Sequence, residues 1–385
     1  MTLVPPPLSL YVHMPWCVRK CPYCDFNSHG LRGTPDYPAY VDALLADLDA
    51  DLRDFGDAAH GRPIETVFFG GGTPSLFSPE LVGRFLDGAR ERLPFVDAAE
   101  ITLETNPGTV EHGRFDGYLA AGVNRISFGV QSFDDDKLRR LGRIHSSTEA
   151  TDAVRQAQDA GIGNINVDLM YALPEQSLEG ALDDVERAIA LRPTHVSHYQ
   201  LTLEPNTAFA ANPPPLPDDD AAWAIQEACE ARLASAGFGQ YEVSAYARPG
   251  RRCAHNLNYW RFGDYLGIGA GAHGKISDAA GVRRRWKTRL PAAYLAAAGR
   301  PARIGGDNRV AADDLPFEYM LNALRLIDGV PATDFAERTG LPAASIAGAR
   351  ESCIARGWLV DDPDQLKTTP LGQRFLNDVI EAFMA

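Results

Sequence analysis

Six short apolar runs alternate with segments of helical periodicity in the first half of this 385-residue chain. The runs predict strands, since each is about four to eight residues long and rich in branched or aromatic side chains. They cover residues 9–13, 66–69, 101–104, 125–130, 165–170 and 196–203. Strands that alternate with helices indicate a parallel sheet with helices outside it. Because a closed barrel of this type has eight such units, six units predict an α/β fold with a partial (β/α)6 TIM-type barrel.

Changes in composition divide the rest of the chain. A proline-rich break at residues 212–217 precedes a helix predicted for 218–236, and a helical pattern resumes near residue 313. We predict the partial barrel over residues 1–215, a small mixed accessory region over 216–310 and a helical, winged-helix-like C-terminal domain over 311–385. Residues 333–348 contain Asp334, Glu337 and a single base, Arg338, so this tail lacks the positive stripe of a nucleic-acid-binding helix.

The net charge of −14 argues against a general nucleic-acid or anionic-membrane binder. No stretch approaches the roughly 20 apolar residues of a membrane span, and the N-terminal residues lack the features of a signal peptide. We expect a cytoplasmic protein with at most peripheral membrane contact and no nucleic-acid partner. The basic run at residues 283–289 is interpreted as a solvated face.

Three of the six cysteines, Cys17, Cys21 and Cys24, fall within eight residues. Thiols stay reduced in the cytoplasm, so grouped cysteines indicate metal or redox chemistry rather than structural disulfides. A dithiol site would use Cys21 and Cys24 alone. A zinc site needs a fourth ligand such as His13 or His29, and a [4Fe–4S] cluster held by three thiolates leaves one iron open. The spacing alone leaves zinc and the cluster both open. The other cysteines are expected to be buried small side chains.

Polar and glycine-rich motifs follow the predicted strands at one end of the sheet. In parallel α/β sheets, ligands bind at the carboxyl ends of the strands. The glycine-rich turn 70–74 follows the second strand, and a ligand site is expected where it meets the cysteine loop. The polar residues at the other strand ends are Glu104, Gln131, Asp168 and Gln200.

The C-x₃-C-x₂-C spacing, with Tyr23 before the last cysteine, resembles the radical S-adenosylmethionine (SAM) superfamily, and the GGGTP turn and the six βα units agree with it. Longer motifs resemble the coproporphyrinogen III dehydrogenase group, and most closely its HemW branch of haem chaperones, over nearly the whole chain. These motifs are YVHMPWC, CPYCDFNSH, FFGGGTPS, ETNPGT, RISFGVQSF, LGRIHS, NVDLMYALPEQ and HNLNYWRFGDYLGIGAGAHG.

The resemblance implies that the three cysteines hold a [4Fe–4S] cluster whose open iron binds the amino and carboxylate groups of SAM. In that superfamily an electron from the cluster can cleave the sulfonium to a 5′-deoxyadenosyl radical; both binding and cleavage stay open here. The family's pattern places Arg143 at the SAM carboxylate and Asp168 at the ribose. The implied SAM contacts are Tyr11, Tyr23, Gly71, Gly72, Thr73, Glu104, Gln131, Arg143, Asp168 and Gln200.

The segment 255–260 resembles the H-N-x-x-Y-W motif of the chaperone branch. By that resemblance the haem-binding candidates are His255, Asn256, Tyr259 and Trp260, with Cys253 as a second candidate ligand. Histidine, cysteine and tyrosine can all ligate haem iron. The residues taken alone favour a core histidine packed by two aromatic side chains.

Two departures from the dehydrogenase direct the functional hypothesis. That enzyme has a further cysteine where this chain has Phe26, and it has a longer arm ahead of the residue corresponding to Tyr11. We therefore expect a haem chaperone that binds the cluster, SAM and haem b and delivers haem to acceptor haemoproteins of the respiratory chain. An electron donor and a second copy of the chain are further expected partners. The alternative is an oxygen-independent coproporphyrinogen III dehydrogenase.

Overall fold

The structure is a computed structural model that describes residues 3–109 and 114–384. The barrel segment contains β1 Leu8–Met14, β2 Trp16–Cys17, β3 His29–Gly30, α1 Tyr37–Phe55, β4 Ile64–Gly71, α2 Pro79–Arg90, β5 Phe95–Thr105, α3 Arg114–Ala121, β6 Arg125–Gln131, α4 Asp135–Arg140, α5 Ser147–Asp159, β7 Asn164–Tyr171, α6 Leu178–Ala190, β8 His195–Gln200 and α7 Ala208–Ala211. The middle segment contains α8 Asp219–Ser235, β9 Gly239–Glu242, β10 Ala245–Ala247, α9 Ala254–Trp260, β11 Asp264–Ile268, β12 His273–Asp278, β13 Gly281–Lys287, α10 Pro291–Ala296 and β14 Ile304–Arg309. The C-terminal segment contains α11 Leu315–Ala323, β15 Val330–Pro331, α12 Ala332–Thr339, α13 Ala347–Ala355, β16 Gln365–Leu366, α14 Pro370–Arg374 and α15 Leu376–Glu381.

The six predicted strands are β1 and β4 to β8, and they pair in parallel in chain order. Val12 lies opposite Phe69, for example, and both side chains are fully buried. Strands covered on both faces carry near-continuous apolar runs, which is why these six could be recognised from sequence. The α/β fold built on parallel βα units is confirmed.

The strands of residues 216–310 extend this sheet at both edges. β11 pairs in parallel with β1, and β12, β13 and β14 follow it in antiparallel order. At the other edge β10 pairs antiparallel with β8, and β9 pairs with β10. One mixed sheet of 12 described strands results, with its parallel part in the middle.

The helices begin at residues that fit the first turn of a helix. α2 begins at Pro79, a residue suited to the first helical position, and the Ser78 side chain before it makes no capping hydrogen bond. α8 begins after Asp218, whose carboxylate accepts a hydrogen bond from the backbone N–H of Ala221 at 2.9 Å.

None of the helices in the described part of the chain combines the length and apolar character that a membrane crossing requires.

The C-terminal domain is helical, as predicted. Its helices enclose a separate apolar core around Tyr319 and Phe335, whose rings meet edge to face with centroids 5.3 Å apart. β15 and β16 form a short antiparallel pair, and Val330 and Leu366 on these strands belong to the same apolar core. Phe262, just after α9, packs on Tyr319 and joins this core to the sheet domain.

A buried ionic network attaches the added strands to α1. Asp47 and Asp51 lie one helical turn apart, and the ammonium of Lys287 contacts their carboxylates at 2.5 and 2.7 Å. Arg303 contacts the same two aspartates at 2.8 and 2.9 Å, and Arg285 contacts Asp51 at 2.8 Å. The prediction of a solvated face for residues 283–289 is therefore wrong for Arg285 and Lys287, both of which are buried.

Replacing Lys287 with alanine is expected to lower the free energy of unfolding by about 3–5 kcal/mol, because it leaves buried carboxylates short of a cation. The control is Arg139→Ala, which breaks the exposed 3.0 Å pair with Asp136 and should cost less than about 1 kcal/mol. Denaturant unfolding of both variants measures the difference. Equal losses in the two variants would contradict a stabilising role for the buried network.

Candidate functional site

A cavity of about 790 Å³ opens at the carboxyl ends of the parallel strands. Most of the residues predicted to form the site line it. They are Cys17, Cys21, Tyr23, Cys24, Gly71, Gly72, Thr73, Glu104, Gln131, Arg143, Asp168, Gln200, Asn256 and Trp260. Four predicted residues are not among the lining residues, namely Tyr11, Cys253, His255 and Tyr259.

Cys17 ends β2, and Cys21 and Cys24 lie on the loop that connects β2 to β3; this segment is called the cysteine loop. A backbone hydrogen bond of 2.9 Å from the N–H of Leu31 to the carbonyl of Cys17 closes the base of the loop. Within the loop, the N–H of Cys24 donates to the carbonyl of Cys21 at 3.2 Å. All three thiols are free and partly exposed, so they are available to a ligand in the cavity.

The glycine-rich turn after β4 fixes the start of this loop. The backbone N–H groups of Gly72 and Thr73 donate to the carbonyls of Met14 and Trp16, each at 2.8 Å. A Cβ atom at Gly72 would lie 2.6 Å from the Trp16 carbonyl oxygen, closer than real Cβ atoms approach. The turn thus needs glycine because two backbone segments pack directly against each other.

Arg143 brings a partly buried positive charge close to the thiols. Its Nη1 lies 3.7 Å from the sulfur of Cys21, and its Nη2 donates to the carbonyl of Gly129. Its Nε has no hydrogen-bond partner among the described residues. Burial raises the pKa of the Cys17 and Cys24 thiols, so a nearby cation or metal is needed to hold them as thiolates.

The donor set fits an iron–sulfur cluster with a polar ligand beside it. Three free thiols on one segment line a cavity that is also lined by the guanidinium-bearing side chain of Arg143. Among residues 3–109 and 114–384, no three His, Cys, Asp or Glu side chains converge closely enough to hold one metal ion. The sulfurs are instead arranged around the wall of a larger volume.

Two partly buried carboxyl groups, those of Glu104 and Asp168, also line the cavity. Glu104 accepts a hydrogen bond from the N–H of Gly71 at 3.2 Å, and burial together with the charge of Asp168 raises the pKa of Glu104 to about 8. Glu104 is therefore mostly uncharged at neutral pH. A cationic group bound here would lower that pKa by stabilising the carboxylate.

A chain of hydrogen bonds that sequence reasoning missed orients Asp168. Its two oxygens accept from Ser127 Oγ at 3.2 Å and from Asn166 Nδ2 at 2.7 Å. The amide oxygen of Asn166 is 2.6 Å from His195 Nδ1, and His195 Nε2 is 2.8 Å from the hydroxyl of Tyr241. The signal was available in the sequence, because Asn166 and Asp168 are two residues apart in β7 and so share one face.

Gln131 ends β6 in a strained backbone conformation. Its φ is 73°, in a region that non-glycine residues seldom adopt, and the register with β7 shifts at this point. The hydroxyl of Tyr199, another lining residue that sequence reasoning missed, donates to Gln131 Oε1 at 2.9 Å. This bulge turns the amide of Gln131 into the cavity wall.

Tyr11 does not line the cavity, but hydrogen bonds connect it to the cysteine loop through His13. Its hydroxyl is 3.0 Å from Nδ1 of His13, whose Nε2 is 2.9 Å from the carbonyl oxygen of Asn27. This chain of contacts connects β1 to the segment that follows Cys24. The structure therefore places Tyr11 as a positioning residue for the cysteine loop.

The H-N-x-x-Y-W motif forms α9, and its side chains divide between two environments. Asn256 and Trp260 line the cavity. His255 is only 1% exposed, and its two ring nitrogens lie 2.7 Å from Thr66 Oγ1 and 2.9 Å from the hydroxyl of Tyr259. This is the packed core histidine that the residues alone favour, so the geometry does not present His255 to a ligand.

Cys253 is also turned away from the cavity. It is fully buried, and its sulfur lies 3.5 Å from a carboxylate oxygen of Glu100. Burial raises the pKa of this thiol to about 12, so it stays protonated at neutral pH. The haem-ligand roles of His255 and Cys253 stay predictions from the resemblance.

Comparison with known proteins places this site in a family. The family model of the radical SAM superfamily matches residues 11–188, and that of the HemN C-terminal domain matches residues 310–375. A protein named heme chaperone HemW from Escherichia coli strain K12 is 52% identical over 381 residues, which cover 99% of each chain. The chain belongs to the HemW family of radical SAM proteins. The HemW protein of Haemophilus influenzae is 50% identical over 98% of each chain.

A solved structure extends the comparison to the fold. The coproporphyrinogen III oxidase HemN from Escherichia coli, described as a radical SAM enzyme, superposes with a TM-score of 0.83 at 24% identity. The match covers 98% of this HemW-family chain and 90% of HemN. At that identity it shows a shared fold. Membership of the radical SAM superfamily implies a [4Fe–4S] cluster and SAM as cofactors.

Gly72→Ala is expected to lower the iron and sulfide content after anaerobic reconstitution, because the new methyl group displaces the backbone that carries Cys17. Gly30→Ala is the matched control on the same loop, since a Cβ there meets nothing within 4 Å. Iron analysis and the visible absorption of the cluster measure the effect. Equal cluster content in Gly72→Ala and the wild type would contradict the positioning role of the turn.

Proposed function

We propose that this protein is a haem chaperone. In this proposal it binds a [4Fe–4S] cluster, SAM and haem b, and it transfers haem to acceptor haemoproteins, those of the respiratory chain among them. The observation that carries the proposal is that three free thiols, Arg143 and two carboxyl groups line one cavity. The chain is also 52% and 50% identical to proteins named heme chaperones.

Cys17, Cys21 and Cys24 are proposed to hold the cluster, which supplies an open iron for the amino and carboxylate groups of SAM. Arg143 lies beside Cys21, and two N–H groups of its guanidinium can donate hydrogen bonds to one carboxylate. Glu104 and Asp168 face it as acceptors for an ammonium and for ribose hydroxyls. The remaining lining residues of the predicted set, Tyr23, Gly71, Gly72, Thr73, Gln131 and Gln200, are proposed to shape the SAM site.

Haem handling is favoured over oxidative decarboxylation of coproporphyrinogen III. The relatives that match nearly the full chain at 52% and 50% identity are named heme chaperones, whereas the likeness to HemN is at 24% identity. At the cysteine loop, Phe26 occupies the position of the dehydrogenase's additional cysteine, and its side chain is 60% exposed.

The partners follow from this role. Acceptor haemoproteins receive the haem, and an electron donor serves the cluster. Val18 and Phe26, both on the cysteine loop and both exposed, give an apolar surface at which a second copy of the chain is proposed to dock near the cluster. The proposed location is the cytoplasm, where free cysteines stay reduced.

Haem loading and haem delivery are expected to be separable by one substitution. Reconstituted wild type mixed with haemin should show a Soret shift at about one haem per chain and should pass the haem to an apo-haemoprotein. Cys17→Ala should lose the cluster and the transfer but keep the Soret shift, because the thiol holds the cluster rather than haem iron. Cys353→Ala, which removes a buried thiol in the C-terminal domain, is the matched control and should keep both.

Two results would contradict the proposal. Wild type that shows no Soret shift is not a haem carrier. Anaerobic formation of protoporphyrinogen and 5′-deoxyadenosine from coproporphyrinogen III would establish the dehydrogenase instead.

A further inference from the structure

The segment that follows the cysteines carries a buried hydroxyl beside one of the sulfur atoms. Ser28 lines the cavity and is only 4% exposed. Its Oγ lies 3.7 Å from the Sγ of Cys24, a distance at which a hydroxyl can form a hydrogen bond with sulfur. Ser28 is not among the residues predicted to contact SAM.

The state of the cysteine decides the direction of this hydrogen bond. A free thiol can donate or accept, whereas a thiolate bound to iron has no proton and can only accept. With a cluster on the three cysteines, Ser28 is therefore the donor and Cys24 the acceptor. The sulfur of Cys21 has a donor of its own, since Nη1 of Arg143 lies 3.7 Å from it.

Asn27 anchors the chain on one side of Ser28. Its Nδ2 donates to the carbonyls of Ala270 and Arg289, each at 2.9 Å. These carbonyls belong to the loop after β11 and to the end of β13. A Cβ atom at Gly271 would lie 2.1 Å from the same Nδ2, so the glycine lets the loop after β11 pack directly on this amide.

His29 anchors the chain on the other side. Its backbone N–H donates to the carbonyl of Pro15 at 2.7 Å. Its Nε2 lies 3.3 Å from the carbonyl oxygen of Arg289, which Asn27 also contacts. Because both neighbours of Ser28 are bonded to the added strands, the hydroxyl has a defined position beside the sulfur.

We propose that Ser28 donates a hydrogen bond to the Cys24 thiolate of the bound [4Fe–4S] cluster and thereby raises the reduction potential of the cluster. A reduced cluster carries one more negative charge than an oxidised one, so a donor at its sulfur stabilises the reduced state more. Hydrogen bonds to the sulfurs are among the factors that set the potential of such clusters. This role rests on the proposed function, because it requires the cluster at the three cysteines.

The reduction potential of the anaerobically reconstituted, full-length protein tests this role. Ser28→Ala removes the donor, so the ratio of reduced to oxidised cluster at a fixed ambient potential should fall about two- to tenfold. Ser28→Thr keeps a hydroxyl and should stay near the wild-type ratio. Thr34→Ala, which removes an exposed hydroxyl farther along the chain, is the matched control and should equal wild type. The electron paramagnetic resonance signal of the reduced cluster measures the ratio in each protein.

The outcomes separate the hydrogen bond from the proposed function. Wild type that takes up no cluster overturns both. If wild type takes up the cluster, an unchanged ratio in Ser28→Ala overturns the hydrogen bond alone, and so does an equal fall in Ser28→Ala and Ser28→Thr. If Ser28→Ala takes up no cluster, Asn27→Ala decides, because it releases the chain beside Ser28 and retains the hydroxyl. A lower ratio in Asn27→Ala then supports the hydrogen bond, and an unchanged ratio overturns it.

Discussion

The close contact between two backbone segments at Gly72 determines the geometry of the whole site. The segment from Met14 to Trp16 leads into the cysteine loop, and the turn after β4 packs directly against it with two hydrogen bonds of 2.8 Å. Because no side chain fits between these segments, the start of the cysteine loop at Cys17 has a defined position relative to the carboxyl ends of the strands. The polar groups at the next strand ends then face the thiols across one cavity.

The added strands and the C-terminal domain determine what surrounds that cavity. The ionic network of Asp47 and Asp51 with Lys287 and Arg303 attaches β13 and its neighbours to α1. At the opposite edge, β9 and β10 and the C-terminal helices enclose a second cavity. The parallel sheet thus provides most of the walls of the first cavity, and the later segments provide much of the second.

Much of the parallel sheet was predictable because local patterns determine it. Buried strands carry continuous apolar runs, and their ends carry the polar and glycine motifs, so the cysteine loop, Gly72 and Asp168 could be placed together from sequence. The pairing of β11 with β1 joins segments about 250 residues apart, and the partners of Lys287 are as distant. The periodicity of a local sequence segment does not reveal contacts between such distant segments. For this reason Arg285 and Lys287 of the basic run were wrongly interpreted as solvated.

The haem candidates show the same limit of local reasoning. The 255–260 motif identified the family, yet the fold buries His255 between Thr66 and Tyr259. A resemblance identifies residues that a family shares, whereas the availability of a ring nitrogen depends on tertiary contacts.

Anomalous diffraction at the iron edge from crystals of the reconstituted, haem-loaded protein tests the central claim most directly. The account predicts a compact group of iron peaks beside Cys17, Cys21 and Cys24 and one isolated iron peak from bound haem. Cluster iron away from the three cysteines, or no isolated iron peak, would contradict it.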